Sequence, residues 1–160
     1  MTRSWVAAAF LVLVVGACGP FCGNGKLNLS NAKLNPTSFT CPSGAQNYSY
    51  DIKGTVDLDN QTSKKITIKS MSTSAQILKL VGDNWSAKVG DKSGADDIDY
   101  SPKSIASGTK APLKFTTPWN CSNSGGNSTE TYADFKLQVV MVTDNGTYKF
   151  DLPNHRMKMA

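Results

Sequence analysis

The chain has 160 residues, enough for one domain with a core of its own, and a net charge of +5. Serine, threonine, asparagine and glycine are abundant and no window shows a sustained apolar helical period, which excludes a helical bundle. Its fifteen lysines are scattered, whereas nucleic-acid-binding proteins concentrate basic residues and favour arginine, so we expect no nucleic-acid partner.

The N-terminal segment has the layout of an export signal. Arg3 precedes 13 uncharged residues, Trp5 to Ala17, a run that suits the apolar core of a secretory signal and is too short to span a bilayer. The segment ends Val15-Gly16-Ala17-Cys18, which resembles the lipobox of bacterial lipoproteins. The resemblance implies a signal peptide over residues 1–17 and a lipid on Cys18. The lipid would hold the protein at the cell membrane or outer membrane, facing outside the cytoplasm. If the general signal peptidase cuts the same bond instead, the protein is secreted.

Three segments follow the signal. Residues 18–25 are glycine-rich and predict a flexible tether. Residues 26–153 contain the alternating apolar segments and predict the folded domain. Pro153 ends the last of these segments, so residues 154–160 are predicted to be a frayed tail.

The first half of the domain predicts strands with a clear period of two. A first strand is expected within residues 26–35, with Leu27 and Leu29 on one face, and Cys41-Pro42-Ser43-Gly44 predicts a turn. The clearest strand covers residues 48–58, where apolar and polar side chains alternate. Gly54 interrupts its apolar face and is predicted to mark a bulge.

The second half continues this pattern. The alternating segments that predict further strands are 66–69, 77–81, 85–89, 113–115 and a hairpin over 132–152 with its turn at Asp144-Asn145-Gly146. Residues 90–109 and 122–129 are predicted to be loops. Ile98, Tyr100 and Ile105 are expected to dock the first of these loops on the body of the domain.

Seven to nine short strands separated by turns predict an all-β fold, an antiparallel β-sandwich. The sequence carries Gly54-Thr55-Val56, Asn60 and Ile66-Thr67-Ile68, and later Ile105-Ala106-Ser107-Gly108 leading into Leu113-Lys114-Phe115. In this spacing, residues 48–152 resemble the immunoglobulin-like and fibronectin-like domains of bacterial surface proteins. The resemblance implies an immunoglobulin-like sandwich.

The four cysteines bear on disulfides and on zinc. They are Cys18, Cys22, Cys41 and Cys121, and an exported chain sits where disulfides persist. Four free thiols allow three pairings, and a lipid on Cys18 leaves one cysteine unpaired. We expect the disulfide Cys41–Cys121, because both cysteines lie beside predicted strands. Zinc is not expected, since only Cys18 and Cys22 are close in sequence and His155 is isolated.

No catalytic constellation is visible, so we predict that the protein is not an enzyme. His155 is the one histidine, and its place in the predicted tail makes it a solvated side chain rather than an oriented base. The aspartates cluster at Asp96, Asp97 and Asp99, an oxygen-rich loop of the kind that binds calcium in extracellular β-domains. Calcium is therefore the one cofactor that the sequence suggests, against the alternative of a solvated acidic loop.

Two tryptophans are candidates for ligand contacts. Trp119 follows Pro118 at a predicted strand end, and Trp85 follows a Gly-Asp-Asn turn. Aromatic rings at such positions stack on sugars or aromatic ligands, although most aromatic residues on alternating strand faces belong to the core.

We therefore expect a lipid-anchored, extracytoplasmic binding or structural module at the cell surface. Its expected partners are the membrane, through the lipid on Cys18, and an extracellular protein or glycan. The alternative is a secreted carbohydrate-binding or calcium-dependent recognition domain. Seven Asn-x-Ser/Thr triplets would be glycan acceptors in a eukaryotic secreted protein and are turn residues in a bacterial one. They begin at Asn28, Asn47, Asn60, Asn84, Asn120, Asn127 and Asn145.

Overall fold

We describe the fold from a computed structural model, which describes residues 25–83, 85–126 and 130–160. Within these residues the chain is all-β, with eleven strands and no helix. The strands form two sheets that pack against each other around one apolar core. The predicted β-sandwich is confirmed, with more strands in the described residues than the seven to nine expected.

The smaller sheet has four antiparallel strands. Their order across the sheet is β1 (Leu27–Asn35), β3 (Ala45–Asn60), β8 (Lys110–Asn123) and β6 (Asp99–Ser101). The alternation predicted for β3 is confirmed, because Ile52, Val56 and Leu58 are buried while Lys53 and Asp57 are exposed. One face of this sheet therefore covers the core and the other faces solvent.

The larger sheet has seven strands. Its main order is β2 (Ser38–Cys41), β11 (His155–Met159), β9 (Tyr132–Thr143), β4 (Ile66–Val81) and β5 (Lys92–Ala95). In addition, β10 (Gly146–Asp151) pairs with β9, and β7 (Ser104–Ile105) pairs with β4. The β11–β2 pair is parallel, and the other pairs of this sheet are antiparallel.

The predicted hairpin of the second half forms β9 and β10. The buried residues of β9 alternate as expected, at Phe135, Leu137, Val139 and Met141. Its chain reverses between Thr143 and Gly146, which face each other across the turn.

Gly54 lies in a regular stretch of β3 rather than at a bulge, so this prediction is wrong. It faces Phe115 of β8, and the only register shift between these two strands lies between Ala45 and Tyr48. A Cβ atom at Gly54 would overlap the ring of Phe115. The glycine therefore makes room for a buried ring that packs edge-on against Phe150 of the opposite sheet.

The predicted frayed tail is wrong, because residues 155–159 form β11 inside the larger sheet. This strand pairs with β9 on one side and with β2 on the other. His155, Met157 and Met159 are buried, while Lys158 is exposed. The segment thus has the period of two that a half-buried strand requires, over a length too short to stand out in the sequence.

Several predicted strand boundaries also change. Residues 66–81 form one continuous strand, and β8 runs through Pro118 to Asn123. Residues 85–89 are not a strand; instead the Trp85 Nε1–H group donates a hydrogen bond to the Val81 carbonyl at 3.0 Å. The predicted loop 90–109 contains three short strands, β5, β6 and β7.

The docking of this loop on the body is confirmed. Ile98 and Ile105 are buried, and Tyr100 is half-buried with its hydroxyl donating to the Ile68 carbonyl at 3.2 Å.

The predicted signal peptide, Cys18, Cys22 and most of the tether lie outside the described residues, as do Asn84 and Asn127. In the part of the chain that the structure describes, no helix has the length and hydrophobicity needed to cross a lipid bilayer.

Candidate functional site

A concave site lies between the two sheets, and we call it the aromatic cleft. It consists of two adjoining hollows of about 460 Å³ and about 430 Å³. Both hollows are lined by Ser93, Asn120, Phe135 and Met157, so that they form neighbouring parts of one cleft.

The cleft exists because two strands of different sheets leave their edges uncovered. β6 pairs with β8 over Lys114 to Thr116, so no strand of the described residues lies beside residues 117–123 of β8 on that side. β5 is the last strand of the larger sheet. The cleft lies between these two edges, and its floor comes from β4, β9 and β11, which contribute Ala75, Phe135 and Met157.

Trp119 and Trp85, the two tryptophans singled out in the sequence, both line this cleft. Trp119 lines one hollow and packs edge-on against Phe135, with the ring centroids 5.2 Å apart. Trp85 lines the other hollow and is held at its mouth by the hydrogen bond to Val81. Both rings remain partly exposed. The fold therefore places two residues that are 34 positions apart in the sequence on adjoining hollows, and ligand contact by either ring stays a prediction.

Polar residues also line the two hollows. Ser93, Asn120 and Asp51 are exposed at the rim. Deeper in the cleft, the hydroxyls of Thr73 and Thr117 are 2.6 Å apart and hydrogen-bond to each other across the two sheets. The cleft thus combines apolar rings with a few hydroxyl, amide and carboxylate groups, which is the usual make-up of a small-ligand site.

A hydrogen-bonded pair of half-buried Tyr50 and fully buried His155 lies beside Trp119. The Nδ1 atom of His155 is 3.1 Å from the Pro36 carbonyl oxygen, and its Nε2 atom is 2.9 Å from the Tyr50 hydroxyl. Because a carbonyl only accepts, Nδ1 carries the proton and donates it, and Nε2 of the neutral ring accepts from Tyr50. The prediction of a solvated tail histidine is therefore wrong, since His155 is completely buried.

Both groups of this pair are held neutral. The pKa of His155 is lowered, because the effect of burial outweighs that of the hydrogen bond to Pro36, which by itself would raise the pKa. Burial also raises the pKa of Tyr50 far above its ordinary value. Phe39 stacks on Tyr50 with centroids 3.8 Å apart, and Trp119 lies edge-on to His155 at 5.8 Å. The pair therefore acts as a packed, hydrogen-bonded support that positions Trp119.

The predicted disulfide Cys41–Cys121 is confirmed and closes one end of the cleft. Its two Cα atoms are 6.1 Å apart. Cys41 belongs to β2 of the larger sheet, and Cys121 belongs to β8 of the smaller one and lines the cleft. The bond therefore joins the two sheets next to Trp119.

The predicted calcium ligands lie elsewhere, on and beside the β5–β6 connection. Asp96, Asp97 and Asp99 are all exposed. Among the described residues, no group of three or more histidine, cysteine, aspartate or glutamate side chains is arranged to hold a metal ion. Calcium binding by these aspartates stays a prediction.

Sequence reasoning missed Ser93, Asn120 and the whole Tyr50–His155 pair. Ser93 fell in a predicted loop and Asn120 in a segment placed beyond a strand end. The signal that would have found His155 is the alternation in His155-Arg156-Met157-Lys158-Met159. This alternation covers only five residues, too few to predict a strand.

The chain is similar to known proteins in fold and not in sequence. No family model matches the chain, and no curated protein matches it in sequence. One similar solved structure is the alkylpurine DNA glycosylase AlkC of Pseudomonas fluorescens bound to DNA containing an abasic site analog. Its TM-score is 0.47 at 10% identity, over 83% of this chain and 30% of the glycosylase.

Two other similar solved structures are of chains shorter than the glycosylase. The ASH/PapD-like domain of human CEP192 has a TM-score of 0.30 at 13% identity, over 98% of this chain and 96% of that one. The CooA pilin subunit of enterotoxigenic Escherichia coli has a TM-score of 0.31 at 10% identity, over 82% and 98%.

The prediction that the protein is not an enzyme is contradicted by the first of these structures, which is an enzyme. We therefore withdraw it. The chain spans only 30% of the glycosylase, and the likeness assigns no activity or substrate to this chain.

Proposed function

We propose that the protein is an exported binding module, anchored by a lipid on Cys18, that takes a saccharide in the aromatic cleft. The observation that carries the proposal is that Trp119 and Trp85 line two adjoining hollows, and that Ser93 and Asn120 line both. The apolar C–H face of a sugar ring stacks on an aromatic ring, while its hydroxyls need hydroxyl and amide partners.

The size of the cleft favours a small ligand over a protein surface. Its hollows of about 460 Å³ and about 430 Å³ fall within the range of small-molecule sites. A stable protein–protein interface instead needs roughly 800 Å² of surface from each partner, usually flat. One or two sugar units therefore fit the cleft better than a protein does.

Two observations support the export and anchoring part of the proposal. The lipobox-like Val15-Gly16-Ala17-Cys18 gives the attachment point. The disulfide Cys41–Cys121 is compatible with an oxidising compartment outside the cytoplasm.

The cleft is tested by titrating the purified protein with chitohexaose, cellohexaose and maltohexaose, followed by calorimetry and tryptophan fluorescence. We expect one of these probes to bind, and Trp119→Ala to weaken its binding at least about tenfold. Asn120→Ala should weaken binding without disturbing packing, because the Asn120 side chain is exposed. The control is Val89→Ala, since Val89 is exposed and lines neither hollow.

Two results would contradict the cleft proposal. One is that none of the three probes binds. The other is that both cleft variants bind as tightly as the unchanged protein while denaturation shows that they are folded.

The anchor is tested separately by fractionating cells that express the Cys18→Ala variant. Because the lipid would supply the membrane affinity, this variant should leave the membrane fraction. A Cys22→Ala variant is the matched control and should stay with the membrane. Unchanged membrane retention of the Cys18 variant would show that the protein has no lipid anchor there.

A further inference from the structure

A large concave surface lies on the solvent-facing side of the four-stranded sheet, and we call it the basic concavity. Its volume is about 780 Å³. Its floor is the backbone around Leu34, Gly54 and Phe115, which face one another across β1, β3 and β8. The side chains of Leu34 and Phe115 are buried in the core, so the residues on either side of them point outward.

The outward residues form two rows across the sheet. The first row is Lys33 of β1, Thr55 of β3, Lys114 of β8 and Ser101 of β6. The second row is Asn35, Lys53, Thr116 and Asp99 on the same four strands. Strand spacing places the Cα atoms of Lys33 and Lys114 roughly 10 Å apart, with Lys53 diagonally between them.

The lysines of these rows have no carboxylate partner. Within the described residues, none of Lys33, Lys53 and Lys114 forms an ion pair. Elsewhere on the surface, Lys110 pairs with Asp59 and Lys136 pairs with Asp151. The basic concavity therefore gathers positive charges that the fold leaves unpaired.

A fourth lysine completes the basic concavity at its edge. The Nζ atom of Lys103 lies 3.3 Å from the centroid of the Tyr100 ring. The one acidic residue that lines the concavity is Asp99. Four ammonium groups against one carboxylate give a positive potential that attracts anions.

The uncharged polar residues of the basic concavity indicate which class of anionic ligand it suits. Asn35, Thr55 and Thr116 stand between the lysines and offer hydroxyl and amide groups to sugar hydroxyls. Two aromatic residues line the concavity in the described part of the chain: Phe115 is buried, and the ring of Tyr100 is covered by Lys103, so neither offers a free face for stacking a nucleic-acid base. A planar membrane does not follow a concave surface. Lysines interspersed with hydroxyl and amide groups suit a polymer that carries both carboxylates and hydroxyls.

We propose that the basic concavity binds an acidic polysaccharide, with Lys33, Lys53 and Lys114 facing its carboxylates. This site is independent of the aromatic cleft, because no residue lines both. It adds a second, charge-dependent mode of glycan binding.

The test is a titration of the purified protein with polygalacturonate at low salt. The triple variant Lys33→Gln/Lys53→Gln/Lys114→Gln should bind at least about tenfold more weakly, since each exposed charge contributes modestly and the three add. The matched control is Lys69→Gln/Lys149→Gln/Lys158→Gln, which removes three exposed lysines from the larger sheet. The control should keep most of the binding. Raising NaCl from about 0.02 M to about 0.3 M should weaken binding of the unchanged protein.

Other outcomes overturn the proposal. If the control triple variant loses as much affinity as the first, the attraction is a property of net charge and not of this site. Equal binding of neutral dextran would show that the lysines do not select carboxylates. Tighter binding of duplex DNA or of vesicles containing phosphatidylglycerol would assign the surface to another class of ligand.

A final arm separates this site from the aromatic cleft. Trp119→Ala should leave polygalacturonate binding unchanged. Loss of polygalacturonate binding in Trp119→Ala, with the lysine triple variant unaffected, would move the acidic ligand to the cleft. Binding of hexaoses without polygalacturonate would sink the inference of this section and leave the proposed function standing.

Discussion

One buried amide, that of Asn60, ties together the end of the sandwich where β3 leaves the sheet. The side chain is completely buried. Its amide nitrogen donates to the carbonyls of Lys64, Ile105 and Ala106 at distances of 2.9 to 3.2 Å. Its oxygen accepts from the backbone N–H and the hydroxyl of Thr62. The sequence predicts Asn60 as a turn residue. In the structure its side chain provides hydrogen-bond partners both for the turn at residues 62–64 and for the distant loop at residues 105–106.

We expect Asn60→Ala to destabilise the domain by about 3 kcal/mol, because it leaves buried carbonyls and an N–H without partners. The neighbouring Gln61→Ala should cost about 0.5 kcal/mol or less, since the Gln61 side chain is exposed and donates a hydrogen bond to Asp59, another surface residue, while the backbone bond of Gln61 to Lys26 is kept. Urea denaturation of the two variants measures both values. Equal effects would show that the buried amide is not the group that fixes this turn.

His155 gives the stability a dependence on pH whose sign follows from its burial. Burial lowers the pKa of His155 below the ordinary value of 6.5, so the unfolded chain takes up the proton at a higher pH than the folded one. Stability should therefore be constant, for this group, above about pH 7 and fall as the pH drops from 6.5 towards the lowered pKa. Tyr50 stays protonated throughout, because its pKa is raised.

The measurement is the urea midpoint of unfolding across this pH range. In His155→Gln, an amide replaces the imidazole and can donate to Pro36 and accept from Tyr50 without titrating. The stability of the variant should no longer decline as the pH falls below 6.5. The loss of stability that comes from protonating Asp134 should remain, and it occurs at lower pH because the hydrogen bond with Arg156 lowers the pKa of Asp134. If the variant shows the same decline, another group causes it.

At the scale of elements, the C-terminal strand β11 decides whether the larger sheet is complete. It is the one strand that pairs with β2 in the described residues, and it covers the edge of β9. Arg156 reinforces the second contact, because its Nε and Nη2 atoms donate to the two carboxylate oxygens of Asp134 at 2.7 and 2.9 Å.

Removing residues 155–160 should therefore cost about 5 kcal/mol or more, a large share of the stability of a small domain. The reason is that three buried side chains are lost and β2 is left without a partner. The control Lys158→Ala changes an exposed residue of the same strand and should have an effect of about 0.5 kcal/mol or less. Denaturation of the shortened protein checks this. If the shortened protein has unchanged stability, the C-terminal segment does not contribute to the fold, as the prediction of a frayed tail had it.

At the scale of the whole molecule, the disulfide is the covalent link between the two sheets. Cys41 and Cys121 are 80 residues apart in sequence. Closing a loop of this length should stabilise the domain by about 4.5 kcal/mol in the chain-entropy description. Replacing both cysteines by alanine should lower the free energy of unfolding by that order, as measured by urea denaturation without reductant.

The control for the disulfide is a reducing agent. Dithiothreitol should lower the stability of the unchanged protein to that of the double variant and leave the double variant unaffected. Peptide mapping that found either cysteine free, or bonded to Cys22, would refute the pairing.

The sequence by itself determined the fold class, the long strands and the last hairpin, because an alternation of apolar and polar residues is a local property of the chain. It also predicted the disulfide Cys41–Cys121, which the structure confirms, and singled out Trp85 and Trp119 as candidates for ligand contacts. The short strand β11 and the course of β8 past Pro118 were not predictable in this way. Proline is tolerated there because β6 ends before it and no strand needs its missing N–H group.

Only the tertiary structure decided where the sites are. Tyr50 and His155 meet although 105 residues separate them, and the cleft exists because the edges of β5 and β8 come from different sheets. The basic concavity likewise depends on the order β1-β3-β8-β6, which places lysines from three distant segments side by side. Such neighbours are fixed by which apolar faces bury one another, and that choice is made by packing over the whole chain rather than by any local pattern.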